Sequence, residues 1–185
     1  MIDVNELRKG VTFELDGNLY KVLEYSHNKP GRGNATIRTR VRDLRTGGVL
    51  EKTFTSGDRV RDVRLDHHIV TFLYSDGDFF HFMDTETYEQ PTLNRSAVAD
   101  VADYLTEGLE AKLTFYREEA IDIELPTAVD LKVTQADVGV KGDTATGATK
   151  TVTTETGLRV QVPLFVEADD MIRVDTRTGA YLTRV

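Results

Sequence analysis

The chain of 185 residues contains no cysteine. That excludes a disulfide framework, thiol chemistry and any zinc site built on cysteine ligands. No run of 18 apolar residues occurs, so nothing reads as a membrane-spanning helix. The opening MIDVNELRKG lacks a basic stretch followed by an apolar one, so it does not read as a signal peptide, and a cytoplasmic location without membrane contact is expected. Histidines number only four. His67 and His68 are adjacent on an expected strand, so they face opposite sides and are poorly placed to share a metal. No GxSxG, HExxH or GxxxxGK(S/T) pattern is present. Gly31 and Gly33 resemble the start of a dinucleotide fingerprint, but Thr36 stands at the third glycine position and the following residues alternate like a strand. Glu118 and Glu119 read as a solvated strand edge and not as a catalytic pair. The expectation is no catalytic residue, no metal and no cofactor. No linker is long, Pro-rich or Ser-rich, so successive modules are expected to follow one another rigidly.

Net charge is −8, which at first argues against nucleic acid. The distribution reverses that. Residues 1–64 carry 13 Lys/Arg against 9 Asp/Glu, residues 65–126 carry 3 against 14, and residues 127–185 carry 7 against 8. Within residues 29–45 six basic side chains meet a single acid, Asp43. A basic patch on an acidic body can touch phosphate locally while the body resists nonspecific coating of RNA.

The patch centres on Lys29-Pro30-Gly31-Arg32-Gly33-Asn34. Residues 19–26 and 35–44 read as strands on either side. Pro30 fixes its own φ and restricts the residue before it, and the two glycines permit backbone angles closed to other residues. The result is a hairpin holding Arg32 at its tip. At strand rise the stretch from Leu23 to Arg32 covers roughly 30 Å, so the tip is expected to stand well clear of its sheet. On the outgoing strand Arg38, Arg40 and Arg42 share one face, and Ile37, Thr39 and Val41 the other. The arginine face is the expected RNA-binding surface. A basic surface that is merely solvated is the plain alternative.

Residues 1–64 read as all-β: Val11, Phe13 and Leu15 alternate, Asp16-Gly17-Asn18 and Arg45-Thr46-Gly47-Gly48 turn the chain, and residues 49–54 form a further strand. Short strands with tight turns suggest a small SH3-like barrel. Residues 65–126 read as five strands, at 69–74, 79–83, 111–116 and 120–125 among others, with a short helix at 96–105. Ser96 is its expected N-cap, Val98, Val101, Ala102 and Leu105 its apolar face, and Gly108 lies just beyond its end. That is an OB-fold pattern. Residues 127–185 give short strands at 129–133, 151–154, 159–163, 171–175 and 180–184, with an exposed loop at 142–150, and fit a second OB-like barrel. The fold class is therefore all-β, three small β-barrel domains in series.

Two further constellations stand out. Gly142, Asp143 and Thr144 offer backbone amides, a carboxylate and a hydroxyl on an exposed turn, groups that can read a base edge. Near the terminus Tyr181 and Arg184 sit beside Arg173 and Arg177, an aromatic among cations suited to stacking on a base and touching phosphate. Alternatively Tyr181 caps the barrel core.

These residues resemble bacterial elongation factor P along the whole chain. The motifs are Lys29-Pro30-Gly31-Arg32-Gly33, Glu51-Lys52-Thr53-Phe54, Val101-Ala102-Asp103-Tyr104-Leu105-x-Glu107-Gly108, Val160-Gln161-Val162-Pro163-Leu164-Phe165 and Val174-Asp175-Thr176-Arg177. The resemblance implies an N-terminal KOW/SH3-like domain, two OB domains and an L-shaped, tRNA-like outline. It implies a monomer that binds the 70S ribosome between the P and E sites and contacts ribosomal RNA. There Arg32 would approach the CCA end of P-site peptidyl-tRNA and help peptide bonds form at consecutive prolines, with Gly142, Asp143 and Thr144 facing the E-site codon. In many relatives the tip is a lysine that receives a lysyl-type group. A guanidinium cannot supply the free amine this needs. Some arginine-tipped relatives carry rhamnose, so an Arg32-modifying enzyme is an implied partner. The chain departs from the family at Asp169, where a glycine is usual. A second class of function stays open: an elongation-factor-P-like paralogue, or a KOW/OB RNA-binding module acting off the peptidyl transferase centre.

Overall fold

Alternation along the arginine-rich strand shows directly in the computed structural model of the chain, which describes residues 1–139 and 147–185. Ile37 and Val41 are fully buried and Thr39 is 1% exposed, whereas Arg38 and Arg40 face solvent. The buried Thr39 hydroxyl donates to the Lys52 carbonyl at 3.0 Å, so its burial leaves no polar group unsatisfied. This strand is β4 (Thr36–Asp43) of a six-stranded sheet. The others are β1 (Ile2–Asp3), β2 (Thr12–Leu15), β3 (Asn18–Asn28), β5 (Val49–Thr55) and β6 (Arg59–Asp62), in the order β1-β6-β2-β3-β4-β5. Asp16 and Gly17 join β2 to β3 with φ of 53° and 80°, the paired positive angles of a tight hairpin turn that matches strand twist. Val4, Leu7, Phe13, Val22, Ile37, Val41 and Val60 form the core beneath. Truncating Phe13, fully buried at its centre, costs about 3–5 kcal/mol.

Residues divide into two compact units, 1–68 with 113–122, and 69–112 with 123–185. A second sheet has the order β11-β10-β7-β8-β9, from β7 (Leu65–Ser75), β8 (Phe79–Asp84), β9 (Thr92–Asn94), β10 (Glu110–Tyr116) and β11 (Glu119–Glu124). His67 reaches Thr114 at 3.0 Å and His68 packs edge-on against Phe115, so the two rings find different partners. In the first unit Leu19, Leu44 and Ile121 make a small core of their own, and Lys21 pairs with Asp122 at 2.7 Å.

The helix expected at 96–105 does not form. The chain makes successive turns, Val98 N–H to Arg95 O and Val101 N–H to Val98 O, then one 3-10 turn at Ala102–Tyr104. Asn94, not Ser96, caps the segment by accepting from the Ala97 amide at 2.9 Å. β-branched Val98 and Val101 and aspartates at 100 and 103 give weak helical preference, and burying Val98 and Leu105 does not require a full helix.

The third sheet, all within the second unit, runs β14-β13-β12-β15-β16, from β12 (Ala128–Ala136), β13 (Thr149–Thr154), β14 (Arg159–Pro163), β15 (Met171–Asp175) and β16 (Tyr181–Arg184). Its core holds Val129, Leu131, Val133, Val152, Val162, Ile172 and Val174, with Tyr104 packed against it. The loop expected to extend through Lys150 ends earlier. Lys150 pairs with Val162 inside β13, its side chain is only 6% exposed, and its ammonium lies 3.3 Å from Glu167. Among the described residues no helix is long and apolar enough to cross a membrane.

Candidate nucleic-acid interface

The hairpin of β3 and β4 closes at the Asn28–Thr36 pair. On its other side β4 pairs with β5 as far as Thr36–Thr55, and the Ser56 amide donates to the Ala35 carbonyl at 2.8 Å. The expectation of a tip standing well clear of its sheet is therefore narrowed to the loop itself. Three strands stay paired to the same level, Ile37 is still core there, and only the loop 29–35 projects. Lys29, Pro30, Gly31, Arg32, Gly33 and Asn34 are all exposed. Arg32 lies at the middle of the loop and, among the described residues, has no hydrogen-bond or ion-pair partner. Of the two glycines only Gly33 uses the left-handed region, at φ 102°. Gly31 does not, and open space surrounds the position of its absent Cβ.

Arg38, Arg40 and Arg42 share the outer face, but their settings differ. Arg38 lies between Ser26 on β3 and Thr53 on β5. Arg40 lies between Glu24 and Glu51, with its guanidinium 3.4 Å from Glu24. Arg42 is opposite Lys21 and Val49. Glu24, Ser26, Arg38, Arg40 and Glu51 line a groove of about 300 Å³. Reading parity alone misses the flanking Ser26, Thr53, Glu24 and Glu51. The register of β3 shifts between Val22 and Glu24, which leaves Leu23 as an unpaired extra residue. The signal was present: Val22 and Tyr25 both pack on the core, at a spacing that strict alternation forbids.

The terminal constellation lies in the second unit. Tyr181 is half-buried and packs against the core of the third sheet. Arg184 lies over the Phe165 ring at 5.0 Å and 3.7 Å from Asp170. Arg173 holds Asp130 with two contacts of 2.8 and 3.2 Å. Arg177 clasps Asp175 at 2.8 Å, and these bonds together with the Arg177 amide hold the Asp175 carboxyl down to about 2. Val174-Asp175-Thr176-Arg177 is thus a built turn, closed by Gly179 at φ 75°. Gly142, Asp143 and Thr144 lie outside the described residues.

Comparison with known proteins places these features. The description "Elongation factor P (EF-P) KOW-like domain" matches residues 3–60, "Elongation factor P (EF-P) OB domain" residues 65–123, and "Elongation factor P, C-terminal" residues 129–184. Elongation factor P of Moorella thermoacetica is 46% identical over 184 residues, covering 100% of both chains. The chain belongs to the elongation factor P family. Elongation factor P of Microcystis aeruginosa is likewise 46% identical over 184 residues, with 100% of both chains covered. Among solved structures, eukaryotic translation initiation factor 5A from Methanococcus jannaschii matches 67% of this chain and 93% of its own at 23% identity and a TM-score of 0.48. Membership in the elongation factor P family makes this a translation elongation factor, built from a KOW-like barrel followed by OB-type barrels. Asp169, where the resemblance led to the expectation of a glycine, has φ of 73°. Its position is one that glycine occupies without strain.

Proposed function

We propose that this factor works on the ribosome between the P and E sites, where Arg32 approaches the CCA end of peptidyl-tRNA and speeds bond formation at consecutive prolines. The observation that supports it is an exposed arginine that has no hydrogen-bond or ion-pair partner among the described residues, at the middle of a loop anchored by three paired strands. Proline is a rigid, poor nucleophile, so geometry at the reacting centre limits the rate. Bracing the tRNA end reduces misalignment without a general acid, a base or a nucleophile. The factor therefore acts by position and charge and is not an enzyme. Its modules are residues 1–64, 65–126 and 127–185, acting as a monomer. Arg38, Arg40, Arg42, Tyr181 and Arg184 contact tRNA or ribosomal RNA, and Gly142, Asp143 and Thr144 face the E-site codon. A ribosomal role implies a cytoplasmic location.

The test is tripeptide formation on a ribosome stalled at a Pro-Pro-Pro run, with unmodified recombinant protein. Arg32→Ala is expected to keep the fold and most ribosome affinity yet abolish rescue. Arg32→Lys keeps the charge and loses the planar fork, so partial rescue is expected where the bare side chain suffices. Full rescue by Arg32→Ala removes the tip from the mechanism.

A further inference from the structure

The β7–β8 hairpin carries an exposed aromatic surface to which the proposed function gives no role. Its register shifts between Phe72 and Tyr74, leaving Leu73 extra. Phe72 and Phe82 point into the core, and the bulge turns Tyr74 outward, opposite His81. Tyr74 is 55% and Phe79 48% exposed. Tyr74 stacks on His81 with centroids 4.4 Å apart and planes at 14°, which fixes one ring face and leaves the other open. At the turn, Asp76 accepts from His81 Nε2 at 3.0 Å and from the Phe79 amide at 2.8 Å. Those bonds hold its carboxyl below the usual carboxylate range, so it stays ionised at neutral pH. Asp78 is exposed beside it. Thr92 and Asn94 on β9 flank the face as neutral groups, and Arg95, whose amide donates to the Asp78 carbonyl, is the neighbouring cation.

We propose that this hairpin tip is a docking site for an arginine-rich, basic polypeptide segment of a partner protein. Charge complementarity names the occupant. Residues 65–126 hold 14 acidic and 3 basic side chains, and two carboxylates border the aromatic pair. An open tyrosine face beside fixed carboxylates suits a guanidinium, which stacks flat on the ring while its N–H groups reach the acid. A phosphate chain meets repulsion at the same place. Two exposed aromatics beside one hairpin turn, Phe79 two residues from the His81 that Tyr74 opposes, also match the anchors of protein interfaces better than a solvated turn does.

The experiment uses the full chain and a labelled peptide of alternating arginine and glycine, followed by fluorescence anisotropy. Binding is expected to weaken about tenfold for the double variant Tyr74→Ala with Phe79→Ala. Glu107→Gln with Glu110→Gln, acids elsewhere on the same barrel, should leave it unchanged. Asp78→Lys reverses charge on an exposed turn without touching the core and should weaken binding in a chain that melts like the wild type. An oligouridylate strand is the second probe. Unchanged peptide affinity in both the aromatic and the Asp78 variants overturns the proposal. So does oligouridylate binding that the aromatic variant abolishes, which would make the hairpin an RNA platform.

Discussion

Replacing Arg38, Arg40 and Arg42 by glutamine one at a time separates surface charge from usable charge. Each arginine that contacts phosphate contributes a slope of about 0.7–0.9 to the logarithmic salt dependence of binding. A fourfold rise in salt then costs about threefold in affinity per contact. Arg38 has hydroxyl neighbours on both strands, so its charge is available. Arg40 is held between Glu24 and Glu51, and a phosphate arriving there meets two carboxylates as well as one guanidinium. Arg38→Gln should therefore lower the slope of ribosome binding by about 0.8, and Arg40→Gln by less than half of that. The assay is ribosome cosedimentation across a potassium chloride series. Glu24→Gln with Glu51→Gln should release Arg40 and steepen the slope. Equal slope losses for Arg38→Gln and Arg40→Gln would refute the reasoning, because parity alone would then govern the face.

Three other outcomes follow from the geometry. Gly33→Ala forces a side chain to φ 102° and should reshape the exposed loop, cutting tripeptide rescue, while Gly31→Ala, with ordinary φ and open space, should leave rescue intact. Asp169→Gly should stabilise the chain by about 0.5 kcal/mol in urea titration, since it relieves the left-handed strain, and Asp169→Val should cost about 1–2 kcal/mol. The Asp175 carboxyl is depressed from the ordinary 3.8 to about 2, so its contribution to stability is complete above about 4 and fades as pH falls through 2. The difference in melting temperature between wild type and Asp175→Asn should accordingly shrink over that window, and a constant difference down to pH 2 would contradict the Arg177 clasp as its cause.

The strands and turns were legible because their signals are local. Asp16-Gly17 demands paired positive φ, and Ile37, Thr39 and Val41 alternate with arginines, so neither needs knowledge of distant residues. The expected helix at 96–105 was not legible in the same way. Val98, Val101, Ala102 and Leu105 have helical spacing, yet burial of Val98 and Leu105 is met by 3-10 and single turns, and Tyr104 points into the third sheet's core. Periodicity over ten residues cannot distinguish a helix from a run of turns that buries the same side chains. Lys150 shows the opposite failure: a lysine in a run of threonine and alanine reads as exposed, but strand pairing with Val162 places it inside.

Cross-strand neighbours decide what the surface residues can do, and register is what local signals do not give. With straight pairing from Val22–Val41, Arg40 would face Leu23 and Arg38 would face Tyr25, and both cations would be unopposed. One extra residue, Leu23, instead brings Glu24 to Arg40 and Ser26 to Arg38. The same device acts on β7. Phe72 faces the core, so strict alternation would send Tyr74 inward too, and only the extra Leu73 turns it out to stack on His81. A bulge costs one ladder pair and re-aims every side chain beyond it. The arginine face of β4 and the Tyr74–His81 face both depend on such a re-aiming. Deleting Leu23 should remove the bulge and still keep Glu24 opposite Arg40 and Ser26 opposite Arg38, because Val22 and Tyr25 would then alternate regularly on the core face. The deletion is therefore expected to preserve the hairpin and the difference in salt slope between Arg38→Gln and Arg40→Gln, and a lost difference would show that the bulge itself sets these neighbours.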